Sequence, residues 1–221
     1  MGEYLAGNGY TALGVRLAGH ATGPEDMLHS RWTDWLASVE DGYHLLRGAV
    51  DNVILVGLSM GGALSLLTST RLEVAGVVAM STPYALRPDP RLKYVRLLSL
   101  FIPYLPKDNR SPGAGWFDQD AWKDHISYPQ NPVRSIVELD QLLAGMRAAL
   151  PQVRVPTLLI HSRDDSYVSP ENMERIFAAL GASDKTKLSV TGSGHVVTRD
   201  AACHQVFEAA LHFIRRVEAG L

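Results

Sequence analysis

Val53-Ile54-Leu55-Val56-Gly57-Leu58-Ser59-Met60-Gly61-Gly62 is the stretch from which the rest of this sequence is read. Its first part is an apolar, β-branched run of the kind that fills a buried parallel strand. A Gly-x-Ser-x-Gly turn follows, and Ala63-Leu64-Ser65-Leu66-Leu67 then opens a helix. Strand, sharp turn and helix are the setting in which a serine hydroxyl is lifted clear of a sheet, and glycines on both sides let the backbone take the strained turn. The bland alternative is a structural Gly-rich β–α connection. The flanking strand and helix favour a catalytic serine.

The chain has 221 residues, enough for one domain of the larger α/β kind. Its formal net charge is −2, with acidic and basic residues interspersed, which argues against nucleic acid as a partner. Cys203 is the single cysteine, so no intrachain disulfide forms and a reducing compartment suits the chain. No apolar run approaches 18 residues, so no stable membrane insertion is expected. The start, Met1-Gly2-Glu3-Tyr4, has neither a basic nor an apolar leader region, and the expected location is cytoplasmic.

Outward from the central strand the pattern alternates. Residues 1–6 read as the end of a helix, stopped at Asn8-Gly9, and residues 10–15 as a strand. Residues 17–26 read as a loop. A helix follows from about Ser30, with Trp32, Trp35, Leu36, Val39, Tyr43 and Leu46 on one face. Residues 76–80 read as a short buried strand, and residues 157–161 and 186–190 as further strands. Residues 170–180 and those from about 200 onward are helices, with Pro170 in a first turn. The expected fold class is α/β, a mostly parallel sheet with helices on both faces. Residues 84–155 break the rhythm, with helical patterns, many prolines and no obvious buried strand. They are expected to form a cap inserted between core segments 1–83 and 156–221.

A serine hydroxyl needs an adjacent base, itself oriented by a carboxylate. Of eight histidines, His44, His204 and His212 fall in helical stretches, and His161 at a strand end reads as a hydrogen-bonded structural residue. His195 stands apart. It follows Gly192-Ser193-Gly194 after the last strand, at the carboxyl edge where open α/β sheets bind ligands. The acid should lie between serine and histidine in chain order, and Asp164 and Asp165 both qualify; composition does not choose between them. No His-Glu-x-x-His or paired-cysteine pattern calls for a metal, and no cofactor is expected. The apolar run containing Leu97, Leu98, Phe101 and Ile102 either lines an acyl pocket or holds the cap down.

Three segments carry a family resemblance: Gly57-Leu58-Ser59-Met60-Gly61-Gly62, residues 162–170 around Asp164-Asp165, and Ser193-Gly194-His195-Val196-Val197-Thr198. Together with Arg16-Leu17-Ala18-Gly19-His20 and the Trp-containing helix beyond it, they resemble bacterial carboxylesterases and monoacylglycerol lipases of the α/β-hydrolase superfamily. The resemblance implies that Asp165 is the acid. It also implies acyl transfer from a small ester through Ser59, His195 and Asp165, with the Met60 N–H as one oxyanion donor. Thioesterase, serine aminopeptidase-type and catalytically silent binding alternatives share the scaffold. His20 resembles a loop residue near the family's site. The family's His-Gly loop, source of the second oxyanion donor, has no counterpart here, nor has the strand expected between residues 10–15 and 53–58. Two expectations follow: an internal methionine as start, with roughly 25–35 residues upstream, or a sheet closed up or completed by a partner chain, a homodimer included.

Overall fold

The computed structural model describes residues 1–106 and 113–220; residues 107–112 of the 84–155 segment lie outside the described residues. Helix α1 (Gly2–Gly7) ends at Asn8, and Gly9 takes the left-handed conformation with φ of 92°. Helices α2 (Pro24–His29) and α3 (Trp32–Arg47) come next. The sequence reading placed residues 17–26 in a loop and started a helix at about Ser30 as its N-cap, so it missed α2. Instead Ser30 is buried at their junction, where its hydroxyl donates to the Met27 carbonyl (3.1 Å) and accepts from Trp35 Nε1 (3.2 Å). The first turn of α3 is held by Asp34, which accepts the Arg31 N–H at 2.8 Å.

Strand β1 (Ile54–Leu58) leads into α4 (Met60–Thr68) and β2 (Gly76–Met80). The insertion follows, with α5 (Val95–Leu98), β3 (Tyr104–Pro106), α6 (Gln119–Lys123), β4 (Gln130–Pro132) and α7 (Val133–Ala149). The two three-residue strands β3 and β4 pair antiparallel, apart from the main sheet. They are too short and too exposed to show as buried strands in the sequence. The chain then supplies β5 (Thr157–Ser162), α8 (Glu171–Ala179), β6 (Lys185–Val190) and α9 (Cys203–Glu218).

The main sheet has the order β1-β2-β5-β6, every neighbouring pair parallel. Strand alternation sorts its side chains onto two faces. Val77, Ala79 and Leu159 point into one core with Trp35, Leu64, Leu66, Leu142, Met146 and Ile176, supplied by α3, α4, α7 and α8. Val78, Met80, Leu158 and Ile160 point into the other with Leu5, Val206, Phe213 and Ile214 from α1 and α9. The sheet is thus covered on both sides, as near-continuous apolar strands require. Helix α4 is buried along almost its whole length, each fully buried leucine contributing about 1.5–3 kcal/mol. Helix α7, although within the 84–155 segment, packs on α3 and α4 in the main core.

Residues 10–15 do not form the expected strand. They are irregular, with Leu13 and Val15 exposed, and β1 is an edge strand. The reason is the partner: a β-strand exists through its ladder, and no described segment lies beside β1 to receive residues 10–15. Among the described residues, no helix is long and apolar enough to cross a membrane.

Candidate active site

Ser59 sits between the last residue of β1 and the first of α4, with φ of 54°. A positive φ at a residue bearing a Cβ is strained by about 1–3 kcal/mol and persists only where the surroundings hold it. They do so here. The Ser59 N–H donates to the Met80 carbonyl (2.7 Å), and its carbonyl accepts from the N–H groups of Gly62 (3.0 Å) and Ala63 (3.3 Å). A Cβ on Gly57 would run into the Gly61 carbonyl, and one on Gly62 into Thr82 Oγ1, whereas one on Gly61 would meet nothing. The steric demand for glycine therefore falls on positions 57 and 62. The second glycine of the Gly-x-Ser-x-Gly pattern, Gly61, occupies open space.

His195 arrives from the loop after β6. Its Nε2 is 3.0 Å from Ser59 Oγ and its Nδ1 2.8 Å from Asp165 Oδ2. The carboxylate can only accept from Nδ1–H, which leaves the Nε2 lone pair facing the serine hydroxyl. Asp165 lies in the turn after β5, with its side chain fully buried. Its Oδ1 accepts the N–H groups of Tyr167 (2.9 Å) and Val168 (2.8 Å). Burial by itself would raise the pKa of this carboxyl. Hydrogen bonds from His161 and His195, the charge of His195 and the Val168 N–H outweigh it, and hold the group well below the usual carboxylate range. Asp164, the other candidate, turns away to accept the Gly192 N–H at 2.7 Å. The structure therefore brings Ser59, His195 and Asp165 together and leaves Asp164 in loop bracing.

Asp200 escaped the sequence reading, since an aspartate ahead of a helix looks like an ordinary cap. It is buried, and its carboxylate accepts the N–H groups of Gly194 (2.5 Å), Phe117 (3.0 Å), Asp118 (2.7 Å) and Ala201 (2.8 Å). One side chain thus ties the insertion to the loop that carries His195. The two backbones also meet directly, because a Cβ on Gly194 would collide with the Gly115 carbonyl. Tyr167 is a second residue without a sequence signal; its ring centroid is 5.0 Å from that of His195 and the side chain is largely exposed. His20 is half-buried edge-on to Trp35, with Nδ1 3.1 Å from the Ala18 carbonyl, and burial lowers its pKa. Of the four apolar residues singled out in the insertion, Leu97 and Phe101 are 59% and 78% exposed, and Leu98 and Ile102 about 38–39%.

Residues 1–202 match the family described as serine aminopeptidase, S33. The chain belongs to this hydrolase family. Relatives that match nearly its whole length agree with that placement. A carboxylesterase of Bacillus subtilis (strain 168) is 26% identical over 219 residues, 99% of this chain and 86% of the relative. A thermostable monoacylglycerol lipase of Bacillus sp. (strain H-257) is 30% identical over 217 residues, 98% of this chain and 84% of the relative. A solved structure from work on LipS and LipT, two metagenome-derived lipolytic enzymes, superposes with a TM-score of 0.87 at 31% identity. That alignment covers 97% of this chain and 86% of the other. The α/β-hydrolase fold expected from the residues is the fold observed.

Proposed function

We propose that this hydrolase cleaves carboxylic esters, short- or medium-chain acyl esters or monoacylglycerols, through an acyl-enzyme on Ser59. The observation that carries the reading is the hydrogen-bond chain from Ser59 Oγ to His195 Nε2 (3.0 Å) and from His195 Nδ1 to Asp165 Oδ2 (2.8 Å). Ser59 Oγ attacks the ester carbonyl carbon while its proton passes to Nε2. Negative charge then gathers on the former carbonyl oxygen. The Met60 N–H, which as the first residue of α4 has no acceptor within its helix, is the donor that meets it. Collapse of this intermediate breaks the bond to the alcohol oxygen, which takes the proton from Nε2. Water attacks the acyl-enzyme by the same route, and the carboxylic acid leaves. Throughout, Asp165 keeps Nδ1 protonated and balances the imidazolium charge.

The ester class rests on relatives that match nearly the whole of this chain, a carboxylesterase and a monoacylglycerol lipase, rather than on pocket shape. Leu97, Leu98, Phe101 and Ile102 are proposed to meet the acyl chain from the insertion. A fluorophosphonate probe tests the reading: wild type should label and Ser59→Ala should not. Absence of wild-type labelling overturns the reading. A series of p-nitrophenyl esters of rising chain length then ranks acyl groups, and Phe101→Ser should lower kcat/KM for the longer chains only.

A further inference from the structure

We infer that His161 is a positioning residue for the triad carboxylate, acting on His195 through Asp165. The inference rests on the serine-hydrolase reading above. His161 is the last residue but one of β5, buried throughout, with its side chain 1% exposed, and no step of acyl transfer uses it. Its Nε2 is 2.9 Å from the Val168 carbonyl and 3.2 Å from Asp165 Oδ2. A carbonyl oxygen has no proton to give, so Nε2 carries the hydrogen, and its positive end faces both oxygens. The ring therefore braces the acid twice. It grips the carbonyl of Val168, the residue whose N–H holds Asp165 Oδ1, and it presents a donor to Oδ2, the oxygen that also receives His195 Nδ1–H. Two backbone N–H groups on one carboxylate oxygen and two imidazoles on the other fix the plane of a carboxylate that is itself fully buried.

The consequence is electrostatic as well as geometric. A carboxylate relieved of one donor concentrates more of its negative charge on His195, which favours the imidazolium. His195 must be neutral to take the serine proton, so a raised His195 pKa moves the acid limb of the reaction to higher pH. The polar groups about this pair are few. They are His161 from β5, Ser59 from the elbow, the Tyr167 ring against His195, and the Asp200 carboxylate bonded to the neighbouring Gly194 N–H. Asp164 is directed at Gly192.

The test compares wild type with His161→Leu, which removes the donor, and His161→Gln, whose amide nitrogen reaches about as far as Nε2. His195 is titrated by NMR of its ring protons, and the pH dependence of fluorophosphonate labelling is followed in parallel. In His161→Leu the His195 midpoint should rise by about one pH unit, with labelling at pH 6 falling about tenfold more than at pH 8. His161→Gln should return both most of the way. Should the leucine variant not fold, His161→Asn, too short to reach Oδ2, gives the same comparison. A donor-free variant with the wild-type His195 midpoint and an unchanged pH profile overturns the inference. The NMR titration does not depend on activity, so a protein that never labels but still shows the midpoint shift refutes the hydrolase reading and leaves the contact between the two histidines and the carboxylate established.

Discussion

Asp165→Asn changes one atom, and the structure dictates which way the new amide turns. Tyr167 and Val168 point N–H groups at Oδ1, so the asparagine oxygen must occupy that position to accept them. The NH₂ group is then forced into the Oδ2 position, 2.8 Å from His195 Nδ1 and 3.2 Å from His161 Nε2. It can only donate: against His161 Nε2–H, which is committed to the Val168 carbonyl, it meets another donor, and only His195 can take its hydrogen. His195 has to accept it with Nδ1, which moves the ring proton to Nε2, where it faces Ser59 and blocks proton uptake. The same inversion in a chymotrypsin-type triad lowers kcat about 10⁴-fold, or about 5 kcal/mol of transition-state stabilisation. The same loss is expected here, read as the rate of p-nitrophenyl ester hydrolysis at pH 7.5 with the folded fraction checked by circular dichroism. Asp164→Asn, which faces only the Gly192 N–H, serves as the control and should stay within about threefold of wild type. A residual rate in Asp165→Asn within tenfold of wild type would refute the tautomer argument, and the assignment of Asp165 with it.

Three further outcomes follow from the same geometry. Gly62→Ala drives a Cβ into Thr82 Oγ1 and should cost about 1–3 kcal/mol in urea unfolding. Gly61→Ala should be near neutral, and adding Thr82→Ala to Gly62→Ala should recover part of the loss. In Asp200→Asn the amide oxygen can keep Phe117, Asp118 and Ala201, which leaves the Gly194 N–H facing an NH₂ group. One buried donor without an acceptor should lower stability by about 1–3 kcal/mol and slow probe labelling of Ser59, because the stranded amide adjoins His195. Finally, the Asp165 carboxyl ionises well below its ordinary value once folded. Its contribution to stability is therefore complete above the unfolded value of about 3.9 and is lost as pH falls through the folded one. The difference in unfolding free energy between wild type and Asp165→Asn should accordingly hold steady from pH 7 to pH 5 and shrink progressively as pH falls below about 4.

What the sequence disclosed and what it hid divide along physical lines. Strands buried on both faces announce themselves in apolar runs, and residues 76–80 and 157–161 are found as strands within a residue of those positions. Ser59 and His195, the proposed nucleophile and base, were legible because each lies in a Gly-containing turn that follows a strand, β1 or β6. Composition did not choose between Asp164 and Asp165, since adjacent aspartates in one turn differ only in where the backbone points them; only the family resemblance favoured Asp165. The tie from Asp200 to Phe117 spans 83 residues of chain, which no local pattern encodes, and the contact of His161 with Asp165, only four residues on, depends on how the turn after β5 folds back rather than on composition. The segment 10–15 shows the opposite failure. Its composition fits a strand, but strand formation is a property of a pair, and the neighbour is not among the described residues.

The convergence of the triad follows from register. Leu58 is level with Met80, Met80 with Ile160 and Ile160 with Leu188, so in a parallel sheet the segments after β1, β5 and β6 all leave by the same rim. Level exits do not by themselves bring side chains together. In the order β1-β2-β5-β6, His195 starts from a strand three spacings from that of Ser59, about 14 Å at ~4.8 Å each. The loop from Val190 to His195 spans about 16–18 Å when extended, enough to cross back over β5 and β2 with little slack. The remaining slack is taken up by Asp200, which fixes Gly194 one residue before the histidine. Asp165 has two spacings to cover and a shorter loop, and His161 and the Val168 peptide hold that loop in place. Each long-reach side chain of the proposed triad is thus secured by a buried polar residue to which the proposed chemistry gives no step. Substitutions at 161 and 200 should therefore affect rate more than substitutions of exposed residues much nearer to Ser59.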